Sequence, residues 1–217
     1  AKGDGIGNGR AAAILLAQAG VRVVVADREQ QLANNTVNMI KERGGTAISI
    51  GADLIKSSDC VINLKTIWTE SKNRTFRNKI YNFNKLVVNS VIKYEIRKYI
   101  FFSGIGINNK SLSKRTVSIA NSEKYIKDNL NNYSIIRPSI VIGNEDQFIN
   151  KLLIIFKLSF FIPMFGNGKA RFQPAYVDDV AFAVEKIVTK KEIDQYIYEL
   201  GGNRILDYKS LYKIIIG

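Results

Sequence analysis

Gly3-Asp4-Gly5-Ile6-Gly7-Asn8-Gly9-Arg10 runs without a spacer into Ala11-Ala12-Ala13-Ile14-Leu15-Leu16-Ala17-Gln18-Ala19-Gly20. Glycines at alternate positions let the backbone take positive φ and let an anion approach the main-chain N–H groups. The helix that starts there adds positive partial charge at its N-terminus. The stretch is therefore predicted to cradle a pyrophosphate with Gly3, Gly5, Ile6, Gly7 and Gly9, and the alanine-rich helix face to pack closely on a sheet.

The residues that follow extend this reading. Val21-Arg22-Val23-Val24-Val25-Ala26-Asp27 is a β-branched run of the kind that forms a parallel strand buried on both faces. It ends in an acid roughly 20 residues beyond the glycines, where a carboxylate accepts hydrogen bonds from both hydroxyls of an adenosine ribose. Asp27 would repel a 2′-phosphate, so the spacing favours NAD(H). Arg28 beside it softens that preference and leaves NADP(H) open.

These features resemble the short-chain dehydrogenase/reductase superfamily. Gly3-x-x-x-Gly7-x-Gly9 matches its glycine pattern, and Asp53-Leu54, after the strand-like Thr46-Ala47-Ile48-Ser49-Ile50, resembles its acidic residue near the adenine. The resemblance implies an α/β, doubly wound parallel sheet of Rossmann type. In the superfamily the first strand ends just before the glycine loop. Here the sequence starts at Ala1, so the expectation is a single domain over residues 1–217, incomplete at the N-terminus and lacking that strand.

Composition changes along the chain. Alanine fills about one position in five before Leu54 and about one in thirty after it, while Lys, Asn and Ile rise. Asp59-Cys60-Val61-Ile62-Asn63-Leu64 reads as the next buried strand and follows the previous one after only a few residues. A right-handed parallel crossover normally needs about a dozen. One crossover helix is therefore expected to be missing, with a join between two related sequences near 54–56. Asn63, at the end of this strand, enters the cofactor-binding set.

Farther on, apolar residues at helical spacing from Asn78 to Tyr94 predict a helix, and Lys98-Tyr99-Ile100-Phe101-Phe102-Ser103 a buried strand. The resemblance places Ser103 where the superfamily has the Ser or Thr that hydrogen-bonds the substrate carbonyl, which makes it the catalytic candidate. A reductase also needs a phenolic proton donor with an ammonium nearby. At the expected offset stands Arg115-Thr116-Val117-Ser118-Ile119 in place of Tyr-x-x-x-Lys. Arginine does not cycle a proton at neutral pH, and isoleucine offers none. The literal strings Tyr81 to Lys85 and Tyr94 to Lys98 precede Ser103 and are expected to face elsewhere. Tyr125 lies near enough to test but lacks a lysine partner.

The remainder narrows the resemblance. Glu123-Lys124-Tyr125, Arg137-Pro138-Ser139, Val141-Ile142-Gly143-Asn144-Glu145-Asp146-Gln147-Phe148, Pro163-Met164-Phe165-Gly166-Asn167-Gly168, Phe172-Gln173-Pro174-Ala175-Tyr176-Val177-Asp178-Asp179 and Tyr198-Glu199-Leu200-Gly201-Gly202 follow in an order similar to the Rossmann accessory subunit of respiratory complex I and its bacterial relatives. That resemblance spans Asp59 to the C-terminus. It implies a dinucleotide held structurally near the membrane-facing quinone region, without known turnover, and puts Pro138 and Ser139 over the nicotinamide end. Lys65-Thr66 departs from the family pattern. On local physics Asp178-Asp179 reads equally as a helix-capping pair, and Arg137 as a structural residue.

Net charge is +13. The lysines are scattered through the Lys/Asn/Ile-rich part, so no nucleic acid is expected, and the basic surface suits protein subunits or a membrane surface. The apolar stretch from Phe148 to Ile162 is too short and too broken to span a bilayer and fits either such a contact or a core helix. One cysteine, Cys60, and no histidine exclude a disulfide scaffold, a histidine triad and an ordinary zinc site, so no metal is expected. A reducing compartment follows, bacterial cytoplasm or mitochondrial matrix. The sequence thus points to an NAD(P)(H)-binding, non-catalytic accessory protein. Its alternatives are an active oxidoreductase or epimerase using Ser103, and a basic interaction module with a vestigial cofactor site.

Overall fold

The computed structural model describes residues 8–20, 23–25, 30–49, 58–143, 146–158, 167–190 and 195–216. Gly3, Gly5, Ile6, Gly7, Asp27, Arg28, Asp53, Leu54 and the expected join at 54–56 lie outside the described residues.

The chain alternates helix and strand. The order is α1 (Asn8–Gln18), β1 (Val23–Val25), α2 (Gln30–Glu42), β2 (Ala47–Ser49) and β3 (Cys60–Asn63), then a π-helical turn (Arg77–Asn82) leading into α3 (Phe83–Lys93). After these come β4 (Lys98–Phe102), α4 (Lys114–Asn129), β5 (Tyr133–Pro138), β6 (Val141–Ile142), α5 (Gln147–Leu158), β7 (Arg171–Phe172), β8 (Ala175–Tyr176), α6 (Val177–Thr189), β9 (Gln195–Leu200), β10 (Leu206–Asp207) and α7 (Tyr208–Ile216). β1 pairs with β2, and β3, β4, β5 and β9 form a four-stranded ladder in that order; both sets are parallel. β1 and β3 share no ladder among the described residues.

Side-chain alternation along the strands fixes the two helical layers. Tyr99, Phe101, Tyr133 and Ile135 point to one face and pack with Val87, Val88 and Val91 of α3 and Ile119 and Ile126 of α4. Ile100 and Ile136 point to the other and pack with Leu16 of α1 and Val184 and Ile187 of α6. Since successive strand residues alternate faces, a nearly continuous apolar run is what a strand covered on both sides requires. Val23 of β1 and Cys60 and Ile62 of β3 join this second cluster, so one apolar layer spans both ladders. A smaller unit packs around Leu152, Leu211 and Tyr212, with Phe148, Phe156, Phe172 and Tyr208 meeting edge to face. The described part of the Phe148 to Ile162 stretch is α5, which supplies Leu152 to this core and leaves Ile154 exposed.

A buried polar knot ties the first face together. Tyr99 Oη donates to Asn84 Oδ1 at 2.6 Å, Asn63 Nδ2 donates to Tyr99 Oη at 2.9 Å, and Asn84 Nδ2 donates to the Ser122 carbonyl at 3.4 Å. The knot links β3, α3, β4 and α4. Burial pushes the Tyr99 phenol well above its ordinary value, so it stays a donor. Tyr99→Phe leaves the amides short of a partner and is expected to cost about 1 to 2 kcal/mol in urea unfolding.

Cys60 is the sole cysteine. Burial pushes its thiol up to about 12, with Lys98 offsetting part of the rise. The native protein should therefore react slowly with a thiol reagent at pH 8 and faster as pH rises toward that value, whereas the urea-unfolded chain should react at once. Equal rates in the two states would contradict the half-buried, desolvated placement of the thiol.

Candidate functional site

The parallel strands end on one side, and there the alternation that builds the core also aims the polar residues. Asn63, Ser103, Arg137 and Glu199 share the parity of Val61, Phe101, Ile135 and Ile197, so all four face α3 and α4. Arg137 lies opposite Glu199 in the β5–β9 register.

At the centre is Glu123 of α4, 4% exposed. Its carboxylate accepts from Arg137 Nε at 2.9 Å and Nη2 at 2.7 Å, and from Ser103 Oγ at 2.5 Å. Arg137 Nη1 also donates to Glu199 at 3.2 Å. The bidentate pairing pushes the guanidinium pKa further above its ordinary value, the hydrogen bond to Glu123 being the main cause. Sequence reasoning treated Arg137 as structural and passed over Glu123. The signal was available: a carboxylate on the buried stripe Ser118, Ile119, Ser122, Glu123 and Ile126 of α4 demands a cationic partner.

The segments around this centre are stitched together by backbone bonds. Ser103 N donates to the Ile136 carbonyl at 2.8 Å, Ile105 N to the Pro138 carbonyl at 3.3 Å, and Ser139 N to the Leu200 carbonyl at 2.8 Å. Ser139 Oγ accepts from Gln173 N at 3.2 Å. Gln173 Nε2 donates to the Gly202 carbonyl. Any side chain on Gly202 would drive its Cβ into the Pro174 carbonyl oxygen, which requires glycine there. Ser103, Pro138 and Ser139 therefore come together at the strand ends. Asn63 sits on the same side of the ladder with its side chain turned into the buried knot, its Oδ1 accepting from Lys65 N at 3.1 Å. Gly9 lies in the first turn of α1, which carries no acid there to compete with an anion.

The two residues at the offset expected for a proton donor and its lysine, Arg115 and Ile119, make other contacts. Arg115 Nε donates to the Ile67 carbonyl at 3.1 Å, Nη2 to Thr66 Oγ1 at 3.1 Å, and the guanidinium lies 4.1 Å from the Trp68 ring centroid. Desolvation draws its pKa down from the ordinary value. Arg115 thus straps the segment after β3, while Ile119 is 3% exposed and belongs to the core.

The literal Tyr-x-x-x-Lys strings lie elsewhere. Lys98 is buried on the α6 face, donating to the Ile187 carbonyl at 2.7 Å and the Lys190 carbonyl at 2.9 Å. Lys85 lies over the Tyr125 ring, and Tyr125 Oη donates to Asn89 Oδ1 at 2.8 Å in the seam between α3 and α4. Asp178 and Asp179 occupy the first turn of α6, where carboxylates favour the helix dipole. The described residues hold no group of three or more metal-ligating side chains.

Solved structures share this fold. The UDP-glucuronic acid 4-epimerase of Bacillus cereus, in complex with UDP-glucuronic acid and NAD, superposes with a TM-score of 0.76 at 17% identity, covering 97% of this chain and 78% of that one. MoeE5 in complex with UDP-glucose and NAD gives 0.78 at 13% identity, covering 96% and 77%. No protein-family model matches. Over 58 residues the chain is 47% identical to the short-chain dehydrogenase/reductase homolog YusS of Bacillus subtilis, a match covering 26% of this chain and 53% of that protein. The chain has a Rossmann-like α/β fold and, over that shorter stretch, is similar to a short-chain dehydrogenase/reductase homolog.

The relatives matched over more of the chain are proteins named NADH dehydrogenase (ubiquinone) 1 alpha subcomplex subunit 9, mitochondrial. The Dictyostelium discoideum protein is 26% identical over 215 residues, covering 96% of this chain and 60% of the relative. The Arabidopsis thaliana protein is 31% identical over 171 residues, covering 77% and 42%. The chain therefore spans about two fifths to three fifths of the length of these relatives.

The strap gives a direct readout, because Trp68 is the sole tryptophan. Arg115→Ala should release it, lowering the fluorescence anisotropy, while Arg115→Lys should restore only part of it. Unchanged anisotropy in the alanine variant would mean that Arg115 does not hold the segment.

Proposed function

We propose that the chain is an NAD(P)(H)-binding accessory subunit of the respiratory complex I type, carrying its cofactor without turning it over. The carrying observation is the fate of the two catalytic positions. Arg115 is committed to Ile67, Thr66 and Trp68, and Ile119 is sealed in the core, so neither supplies or relays a proton at the strand ends. The likeness to the alpha subcomplex subunits supports the accessory role, and the structures solved with NAD support the cofactor.

The residues fit a dinucleotide. Gly3, Gly5, Ile6, Gly7 and Gly9 would receive the pyrophosphate at the start of α1; Asp27, with Arg28 beside it, the adenosine ribose; Asp53 and Leu54 the adenine. Asn63 would border the cofactor through its backbone, and Pro138 and Ser139 would cover the nicotinamide end. Asp27 favours NAD(H) over NADP(H). The cofactor, when bound, supplies the shape that holds these loops together, and its redox chemistry goes unused. The partners would be other subunits at the matrix side of the inner mitochondrial membrane or its bacterial counterpart. Among the described residues no helix is long and apolar enough to cross a membrane.

Calorimetry on the purified protein should show micromolar binding that prefers NADH to NADPH, with the preference lost in Asp27→Ala. Steady-state oxidation of NADH over a panel of carbonyl compounds should stay at background. Turnover abolished by Ser103→Ala would overturn the accessory reading in favour of an active oxidoreductase.

A further inference from the structure

A serine hydroxyl has one proton to give and two lone pairs to offer. At Ser103 that proton is already spent. Both oxygens of Glu123 accept from Arg137, a side chain that only donates, and in the contact between Ser103 Oγ and Glu123 the hydroxyl is therefore the donor. Glu123 is buried and fixed by the bidentate guanidinium, so it does not turn away to release the hydroxyl. The partly exposed Ser103 therefore presents lone pairs to a ligand. A ketone or aldehyde placed against it would set acceptor against acceptor.

We propose that Ser103 accepts a hydrogen bond from the ligand, and that the donor is the amino group of the nicotinamide carboxamide. The geometry points to that end of the cofactor because Ser103 N is bonded to Ile136 and Ile105 N to Pro138, which sets Ser103 one strand away from Pro138 and Ser139. This rests on the cofactor reading above and gives Ser103 a specificity role in place of carbonyl activation. It also gives the Glu123 and Arg137 pair a consequence beyond stability: the pair sets the polarity of the neighbouring hydroxyl.

The test compares NAD with its acetylpyridine analogue, in which a methyl replaces the carboxamide amino group while the carbonyl is kept. Dissociation constants for both are measured by calorimetry on the wild-type protein, Ser103→Ala and Ser103→Thr. The wild type should prefer NAD by about three- to tenfold, the worth of one neutral hydrogen bond. The ratio should fall to near one in Ser103→Ala and persist in Ser103→Thr, which keeps the hydroxyl. A general loss of packing would weaken both ligands together and leave the ratio intact. Equal wild-type affinities, or a preference unchanged in Ser103→Ala, would overturn the inference while leaving cofactor binding in place. Failure of the folded wild type to bind NAD, NADH or the analogue would remove the cofactor reading and this inference with it.

Discussion

Tyr99, Ile100 and Phe101 in the middle of β4 are almost wholly removed from water, so consecutive residues that point in opposite directions must both find apolar cover. This two-sided burial governs the rest. It requires a helix layer on each face, which α3 and α4 supply on one side and α1 and α6 on the other. It requires parallel neighbours, because helical crossovers return the chain to the same end of the sheet. It also collects the strand ends on a single side, where side chains of one parity are aimed together without further instruction.

Among the described residues, the buried polar side chains around this frame are few, and the main ones bond to one another or to the backbone. Asn63, Asn84 and Tyr99 satisfy one another in the interior between β3, α3 and β4. Lys98 closes the carboxyl end of α6 by donating to the Ile187 carbonyl and to that of Lys190, which follows the helix. Glu123 and Arg137 neutralise each other across the α4–β5 contact. A buried charge without a partner would be far more costly than the pair, so each of these residues holds its partner in place. The same rule shapes the site: Ser103, Glu123 and Arg137 are committed to one another and Ile119 belongs to the core.

Much of the fold was legible. The helix α1, the β-branched strands at Val23–Val25 and Cys60–Asn63 and the strand Lys98–Phe102 all follow from local pattern, because helical spacing and period-two burial are local physics. The site was legible in part. Ser103 and Pro138-Ser139 were placed by motif, and the structure puts them at adjacent strand ends. Asn63 was placed in the cofactor set with no means of seeing that Asn84, 21 positions on, and Tyr99 would claim its amide. Arg115 was read as a lost catalyst, with no hint that Trp68 and the Ile67 carbonyl gave it other work.

The sequence by itself determined which segments are strands buried on two sides, which helix follows the glycines, and that Arg115 and Ile119 stand where the resemblance implies Tyr and Lys, since each is a property of residues close in the chain. Only the tertiary structure decided what those two residues and their neighbours touch. Ser103 and Glu123 lie 20 residues apart, Arg137 and Glu199 lie 62 apart, and Lys98 and Ile187 lie 89 apart. Hydrogen bonds act over a few ångströms whatever the separation along the chain, so the direction in which Ser103 offers its proton was fixed when β4, α4 and β5 packed together.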